Sequence, residues 1–248
     1  MDRPRLRLSI PRRALWATAC VLTLLGGEPR RGLSAPAPVA TGRIEGIVTV
    51  SSALVARRPR FRIYDDAGAP PAPLSAGLAA ELSNVVMYLE RSEGAPVAAP
   101  VRASLEQRDE RFQPRVLAVP VHSTVDFPNR DRVFHNVFSL SRTRTFDLGR
   151  YPRDASKSVQ LDKPGVVRVF CHIHADMSAV IVVVDGPGYA IPDSTGRYAL
   201  ESLPPGDYTL VGWHERSEPT RRTVHVVAGE TTRIDMRIPI ADAAPRSE

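Results

Sequence analysis

A seven-residue segment, Cys171–Met177, carries the side chains of this chain that are best suited to binding a metal. It reads CHIHADM and places one thiol, two imidazoles, a carboxylate and a thioether between two valine-rich runs. Thiolate and thioether sulfur are soft ligands that favour Cu(I), and imidazole serves several transition metals. The segment therefore indicates a copper site in a turn between strands, with a zinc site or a turn without metal as the alternatives.

Strand geometry decides which of the two neighbouring histidines is the better ligand. Successive side chains of a strand point to opposite faces, so His172 points away from a site that contains Cys171. His174 is then the second ligand of the turn, and Met177 is the third. A further imidazole has to come from another element, and His135, which begins the apolar run HNVFSL, is the candidate. One cysteine, two histidines and a weak axial methionine are the ligands of blue-copper electron-transfer sites.

The elements that would position these ligands are short strands. Runs rich in β-branched residues recur along 42–238 and are separated by Pro, Gly, Asn and Asp, while no segment keeps a helical period. This pattern predicts an all-β fold made of two β-sandwiches. Residues 55–80 are predicted to form a long loop, followed by one helical turn at 81–85. The pair Trp213 and His214 is predicted to belong to a strand with one buried face.

The N-terminal segment is typical of a secretory signal peptide, which we place at residues 1–37. It has a basic start, a short apolar stretch at 14–27 and small residues near Ala37. The apolar stretch is too short for a comfortable membrane span. We therefore expect a periplasmic or secreted protein with no stable membrane insertion after cleavage.

Removal of residues 1–37 changes what the charge and the cysteine content imply. The segment holds seven arginines and two acidic residues, whereas the whole chain has 33 basic and 27 acidic residues. The remainder is close to neutral, which gives no reason to expect nucleic-acid binding. Cys20 leaves with the signal, so Cys171 becomes the only thiol. One cysteine cannot form an internal disulfide, which leaves pairing with another chain, a buried position or a metal.

The stretch 101–185 resembles the cupredoxins, the type 1 (blue) copper proteins of the amicyanin and plastocyanin kind. The resemblance is carried by VDFPNRDRVFHNVFSL in its first half and by FCHIHADMSAVIVVV in its second half. It implies a Greek-key β-sandwich that binds one copper ion. The implied ligands are His135, Cys171, His174 and Met177. It also implies that Asn136 lies behind the ligands and braces their loop by hydrogen bonds. The chain departs from the family at His122, where a turn glycine is usual, and in the insertion 143–158.

The residues on both sides of this stretch resemble a second family. GRYALESLPPGDYTLVGWHE and the strands after it, in a segment that we delimit as 186–240, resemble the carboxypeptidase regulatory-like (transthyretin-like) β-sandwich. GRIEGIVTV and VVMYLE, within 42–92, have the character of the first two strands of that family. We therefore predict that the cupredoxin-like domain is inserted into a second, smaller sandwich. This hypothesis requires residues 43–50 to pair with strands after residue 195.

These inferences favour an exported electron carrier that has one type 1 copper ion and no catalytic activity. The edge of His174 would exchange electrons with a redox protein, such as a cytochrome or a periplasmic dehydrogenase. Copper storage or delivery is the alternative, because the same ligands would serve it. A copper oxidase or nitrite reductase would need further His-x-His pairs, which the sequence does not contain outside the turn. A structural or carbohydrate-binding sandwich would leave the turn without metal.

Overall fold

The computed structural model describes residues 40–51, 74–91 and 94–239, and nearly all of its regular structure in these ranges is β-strand. The strands are β1 (Gly42–Val50), β2 (Val86–Leu89), β3 (Arg102–Ser104), β4 (Glu106–Arg108), β5 (Arg111–Gln113), β6 (Val116–Pro120), β7 (Ser123–Pro128), β8 (His135–Leu140), β9 (Thr145–Tyr151), β10 (Ser156–Leu161), β11 (Gly165–Phe170), β12 (Ser178–Val184), β13 (Tyr189–Ala190), β14 (Arg197–Leu203), β15 (Gly206–Trp213), β16 (Thr220–Val226), β17 (Thr231–Arg233) and β18 (Met236–Ile238). The prediction of an all-β fold is confirmed. The signal peptide predicted at 1–37 lies outside the described residues.

The strands from β3 to β12 form a first sandwich of two sheets. One sheet has the order β10–β7–β3, and the other has the order β6–β12–β11–β8–β9. The hairpin of β4 and β5 lies beside them. Apolar side chains from the facing sides of both sheets, among them Phe127, Val137 and Ile181, form one buried cluster. Burial of this cluster holds the two sheets together.

Strand β12 is buried on both of its faces. Alternate residues enter the core of the first sandwich, and these are Ala179, Ile181 and Val183. The residues between them enter a different cluster, and these are Val180, Val182 and Val184. Because neither face meets water, the strand reads as a continuous apolar run instead of an alternating one. The valine-rich run after the CHIHADM segment is thus explained by its position between two layers.

Strands from both ends of the described chain form a second, smaller sandwich. Strand β1 pairs antiparallel with β14 and parallel with β17 and β18, and β2 pairs with β13 and β15. Their inward side chains, including Ile44, Leu89 and Leu210, form a separate core. The predicted pairing of residues 43–50 with strands after residue 195 is therefore confirmed. The resemblance of these strands to the carboxypeptidase regulatory-like family remains a prediction.

A third buried cluster joins the two sandwiches. The first sandwich contributes the outer faces of β6 and β12, and the second contributes Val86 of β2 and Trp213 of β15. Trp213 is 8% exposed, in agreement with the structural role predicted for it. The outer side of the β6–β12 pair is thereby covered by protein.

The chain differs from the sequence-based prediction in one helix. Helix α1 (Leu74–Leu82) begins inside the predicted loop, and the segment 81–85 contains its end and the turn after it. Alanine and leucine favour a helix, and Leu82 packs into the core of the smaller sandwich. The insertion 143–158 contains β9, which pairs with β8. No helix in the described ranges is long and apolar enough to cross a membrane.

Replacement of Trp213 by alanine tests the junction between the sandwiches. We expect Trp213→Ala to lower the free energy of unfolding by about 3 kcal/mol or more, because a large buried aromatic leaves a cavity. The conservative variant Trp213→Phe keeps most of the apolar surface and should lose less than half as much. Urea denaturation followed by circular dichroism measures both values. A loss below about 1 kcal/mol in the alanine variant would contradict tight packing at this junction.

Candidate metal centre

The segment Cys171–Met177 is the loop that joins β11 to β12. The ladder between these strands ends at the pair Phe170–Ser178. All residues of the loop therefore lie between the two members of this last pair. The Cys171 N–H donates to the Met177 carbonyl at 3.2 Å, and the Met177 N–H donates to the His174 carbonyl at 3.1 Å. These two bonds fold the loop tightly and place three of the predicted ligands in one turn.

The fourth predicted ligand, His135, is brought to this loop by the neighbouring strand. It is the first residue of β8, which pairs with β11 through Phe138 and Phe170. Its side chain is fully buried. The rings of His135 and His174 lie edge to face with their centroids 4.9 Å apart.

Ligand atoms from three of these residues converge. One potential ligand atom from each of His135, Cys171 and His174 lies within 4.8 Å of the others, and Cys171 Sγ is 3.9 Å from His174 Nδ1. Two donor atoms that lie 3.9 Å apart can bind the same ion at about 2.0–2.3 Å each. Met177 is 1% exposed and belongs to the same buried cluster as Cys171. The loop and β8 thus bring together a soft sulfur and two imidazoles.

One buried atom of this group has a free electron pair. His135 Nε2 lies 2.8 Å from Asp131 Oδ2, and a carboxylate can only accept, so Nε2 carries the proton. In the neutral ring that a metal ligand requires, Nδ1 is then the acceptor. It is buried and has no hydrogen-bond partner among the residues that the structure describes. A buried polar atom without a partner is costly, and a metal ion bound at Nδ1 would satisfy it.

Asp131 holds more than the imidazole. Its carboxylate also accepts hydrogen bonds from the Glu110 N–H at 2.9 Å and the Asp109 N–H at 2.7 Å. These two residues form the turn between β4 and β5 with φ near +55°, at 54° and 55°, which is unfavourable for non-glycine residues. Burial opposes ionisation of Asp131, but the bonds from Glu110, His135 and Asp109 outweigh it and lower the pKa of the carboxyl. One carboxylate therefore orients a candidate ligand and holds a strained turn.

Asn136 ties the loop to β8 and β9. Its Oδ1 accepts the His172 N–H at 3.3 Å, and its Nδ2 donates to Asp147 at 2.7 Å. The Gly149 N–H and the Asn136 amide hold the pKa of the Asp147 carboxyl below its ordinary value. Asn136 is 2% exposed. Its side chain therefore makes a hydrogen bond of the kind that the family resemblance implies.

A buried polar network behind His135 was not anticipated from the sequence. Gln107 Nε2 donates to the Phe127 carbonyl at 3.1 Å and to the Tyr151 hydroxyl at 2.6 Å. Burial raises the pKa of Tyr151, so its hydroxyl stays protonated and donates to the Phe127 carbonyl at 2.8 Å. Asn129 donates to the Tyr151 carbonyl at 3.2 Å and accepts the Asp131 N–H at 2.9 Å. The network positions the segment that leads into His135.

The other polar residues of the loop lie outside the centre. His172 and Asp176 are exposed, and the His172 ring packs against Phe138 with centroids 3.8 Å apart. This agrees with the prediction that His172 points away from Cys171. The His174 ring is 24% exposed, and its Nε2 lies 3.8 Å from a carboxylate oxygen of Glu110. Only an edge of one candidate ligand thus reaches the surface.

No protein-family model and no curated protein matches this sequence. Among solved structures, the Cu-containing nitrite reductase (NirK) from Thermus scotoductus SA-01 is 23% identical with a TM-score of 0.33, and the match covers 39% of this chain and 25% of that chain. A purple cupredoxin from Nitrosopumilus maritimus is 20% identical with a TM-score of 0.30, covering 33% of this chain and 98% of that one. A mutant of amicyanin in its reduced state is 21% identical with a TM-score of 0.32, covering 39% of this chain and 97% of that one. All three likenesses are partial, and the chemistry of the site rests on its own residues.

Replacement of Asp131 by asparagine tests the orientation of His135. The asparagine amide can donate to Nε2, and the ring proton can then move to Nδ1 and block the metal-facing atom. We expect Asp131→Asn to weaken binding of Cu(I) or Zn(II) roughly ten- to a hundredfold, as is usual when the partner of a histidine ligand is lost. Competition with a chromophoric chelator measures the affinity.

Asp126 provides the matched control for this measurement. It lies on β7, where its carboxylate accepts hydrogen bonds from Arg102 at 2.6 and 2.7 Å. Asp126→Asn should leave the metal affinity unchanged. Equal affinities for the wild type and Asp131→Asn would show that Asp131 does not act through His135.

Proposed function

We propose that this chain is an exported mononuclear type 1 copper protein that carries single electrons and converts no substrate. The observation that carries the proposal is the convergence of ligand atoms from His135, Cys171 and His174 within 4.8 Å. His135 Nδ1 supports it, because this buried atom has no hydrogen-bond partner within the described part of the chain and a bound cation would satisfy it. Sulfur and imidazole donors in this ratio suit copper better than a hard cation.

Copper held by this set would supply one-electron chemistry by cycling between Cu(II) and Cu(I). Cys171 would provide the thiolate, His135 and His174 the imidazoles, and Met177 the weak axial thioether. The loop is closed by the Phe170–Ser178 pair, and His135 is held by Asp131. These restraints oppose rearrangement of the ligands when the oxidation state changes, which favours rapid electron transfer.

A carrier is proposed rather than a copper enzyme because, among the described residues, His135, Cys171 and His174 form the only group of three such side chains that could hold a metal ion. His122 lies 3.2 Å from Asp162, His214 lies 3.2 Å from Glu81, and His225 lies 2.7 Å from Asp207. A second catalytic metal would need several of them at one place.

The proposed route for electrons is the exposed edge of His174. Exposed apolar residues lie next to candidate ligands in the chain, with Phe134 at 55% and Ile173 at 40% exposure. A redox protein such as a cytochrome or a periplasmic dehydrogenase would dock there. A periplasmic or secreted location is proposed on the basis of the signal peptide predicted at residues 1–37.

Spectra of the copper-loaded protein test the proposal. The purified protein with Cu(II) should show an intense blue thiolate-to-copper charge-transfer band and a narrow copper hyperfine splitting in its EPR spectrum. Cys171→Ser should abolish the band because the thiolate is lost. His172→Ala is the matched control and should keep it, since that ring is exposed and packs on Phe138. A colourless Cu(II) adduct, or colour that survives Cys171→Ser, would contradict the proposal.

The same sample separates an electron carrier from a copper store. A carrier combines fast electron self-exchange with slow release of the metal, whereas a protein that delivers copper has to release it readily. Self-exchange is measured by NMR line broadening, and release by transfer of copper to a chelator. Slow exchange together with rapid release would favour storage or delivery.

Substitution of Met177 tests the role of the thioether. Met177→Leu keeps the side-chain volume, and we expect the blue band to remain while the reduction potential rises, because Cu(I) tolerates the loss of a donor better than Cu(II). Met177→Gln should lower the potential, since an oxygen donor favours the harder Cu(II). Protein-film voltammetry measures both. Identical potentials in the two variants would show that Met177 is core filling and not a ligand.

A further inference from the structure

Arg115, the residue before β6, holds groups from both sandwiches. Its Nη2 donates to the two carboxylate oxygens of Glu215 at 2.8 and 3.1 Å. Its Nη1 donates to the backbone carbonyl and to the hydroxyl of Ser178 at 3.2 and 3.1 Å. One guanidinium thus connects the segment after β15 of the smaller sandwich to the first residue of β12.

Ser178 lies at the base of the Cys171–Met177 loop, which is called the metal loop below. It follows Met177 directly and pairs with Phe170, which directly precedes Cys171. The loop therefore begins and ends at this pair, and any displacement of Ser178 moves Met177 with it. Two backbone hydrogen bonds fold the loop internally, so the loop moves as a unit with the residues that hold its base.

The contacts of Arg115 are suited to hold this base firmly. The Glu215 side chain is 10% exposed and that of Arg115 is 35% exposed, so the pair is less weakened by water than a fully exposed one. The planar fork of arginine can satisfy the carboxylate and Ser178 together, which the single ammonium of lysine cannot do. The backbone of Arg115 is held as well, because its carbonyl accepts the Val180 N–H at 2.9 Å.

We propose that Arg115 is a positioning residue for the metal loop and that Glu215 is its counter-ion. The chain of contacts Glu215–Arg115–Ser178 is called the brace below. In it the smaller sandwich supplies the carboxylate that keeps Arg115 on Ser178, and Ser178 sets the position of Met177. The inference deepens the proposed function and rests on it where copper is concerned. The mechanical part concerns the protein without metal and can be tested separately.

Hydrogen exchange of the full metal-free chain tests the brace. The variants are Arg115→Gln, Arg115→Lys and Glu215→Gln, with Arg102→Gln as the matched control. Arg102 also makes a two-pronged pair with a carboxylate, that of Asp126, but on β7. We expect the amides of Cys171 and Met177 to exchange roughly three- to tenfold faster in Arg115→Gln and Glu215→Gln, since charge-assisted hydrogen bonds are lost. Arg115→Lys should give a smaller increase, and Arg102→Gln none.

The copper-loaded variants provide a second readout. A shift of Met177 changes its contact with the metal, so Arg115→Gln and Glu215→Gln should alter the ratio of the charge-transfer bands and the reduction potential. Arg102→Gln should alter neither. An ion pair that only stabilises the fold would lower the melting temperature without changing the spectrum.

The outcomes separate this inference from the proposed function. Faster exchange in the Arg115 and Glu215 variants but not in Arg102→Gln supports the brace, whatever metal is bound. Unchanged exchange at Cys171 and Met177 overturns it, even if the wild type is blue. A colourless wild type overturns the copper proposal alone. If Arg115→Gln fails to fold, Glu215→Gln, which keeps the side-chain shape, decides the question.

Discussion

The antiparallel ladder between Gly165–Phe170 and Ser178–Val184 is the interaction on which the rest of the structure depends. It is buried on both sides of β12, so it cannot slip by one residue without turning one whole apolar face from one core to the other. Its register is therefore fixed, and with it the length of the Cys171–Met177 loop. A fixed loop length allows Cys171 and His174 to bring their potential ligand atoms close together. Strand β8, hydrogen-bonded to β11, then adds His135.

The sequence identifies residues that the structure brings together as candidate ligands, His135, Cys171 and His174, but not the residues that orient them. Cys171, His174 and Met177 lie in one short segment, and strand alternation is enough to exclude His172. The choice of His135 depended on predicting that its strand lies next to the strand before Cys171. The spacing of His135 along the sequence does not by itself show which strand pairs with β11. Asp131 was not selected from the sequence, because a spacing of four residues outside a helix does not place its carboxylate on the His135 ring. The turn at Asp109, which Asp131 also holds, comes close only after folding. Helix α1 was missed for a related reason, since its stability comes from packing against a core.

Buried polar groups near the candidate ligands make the folding of this end of the sandwich depend on hydrogen bonds. Gln107 and Asn129 are both fully buried, and each would destabilise the fold by about 1–3 kcal/mol if left unbonded. The two are largely satisfied by Tyr151 and backbone carbonyls. Through Asn129 the same network also binds the segment that carries Asp131, because the Asn129 side chain accepts the Asp131 N–H. Three buried side-chain atoms have no hydrogen-bond partner among the described residues, namely Arg43 Nε, Gln107 Oε1 and His135 Nδ1, and the last of these belongs to a candidate ligand.

The first sandwich is inserted into the smaller one without disturbing either core. The two segments that connect them, one after β2 and one after β12, run side by side. The Ala98 N–H donates to the Gly186 carbonyl, and the Leu89 N–H donates to the Gly188 carbonyl, each at 3.0 Å. A Cβ on Gly186 would lie 1.8 Å from the Leu89 carbonyl oxygen, so only glycine permits this approach. With its ends so close, the inserted domain adds little closure cost to the smaller sandwich. The smaller sandwich in turn covers the valine face of β12, which would otherwise be an exposed apolar patch. The two sandwiches thus cover apolar faces of each other, and the Cys171–Met177 loop leads directly into β12, the strand that packs against both.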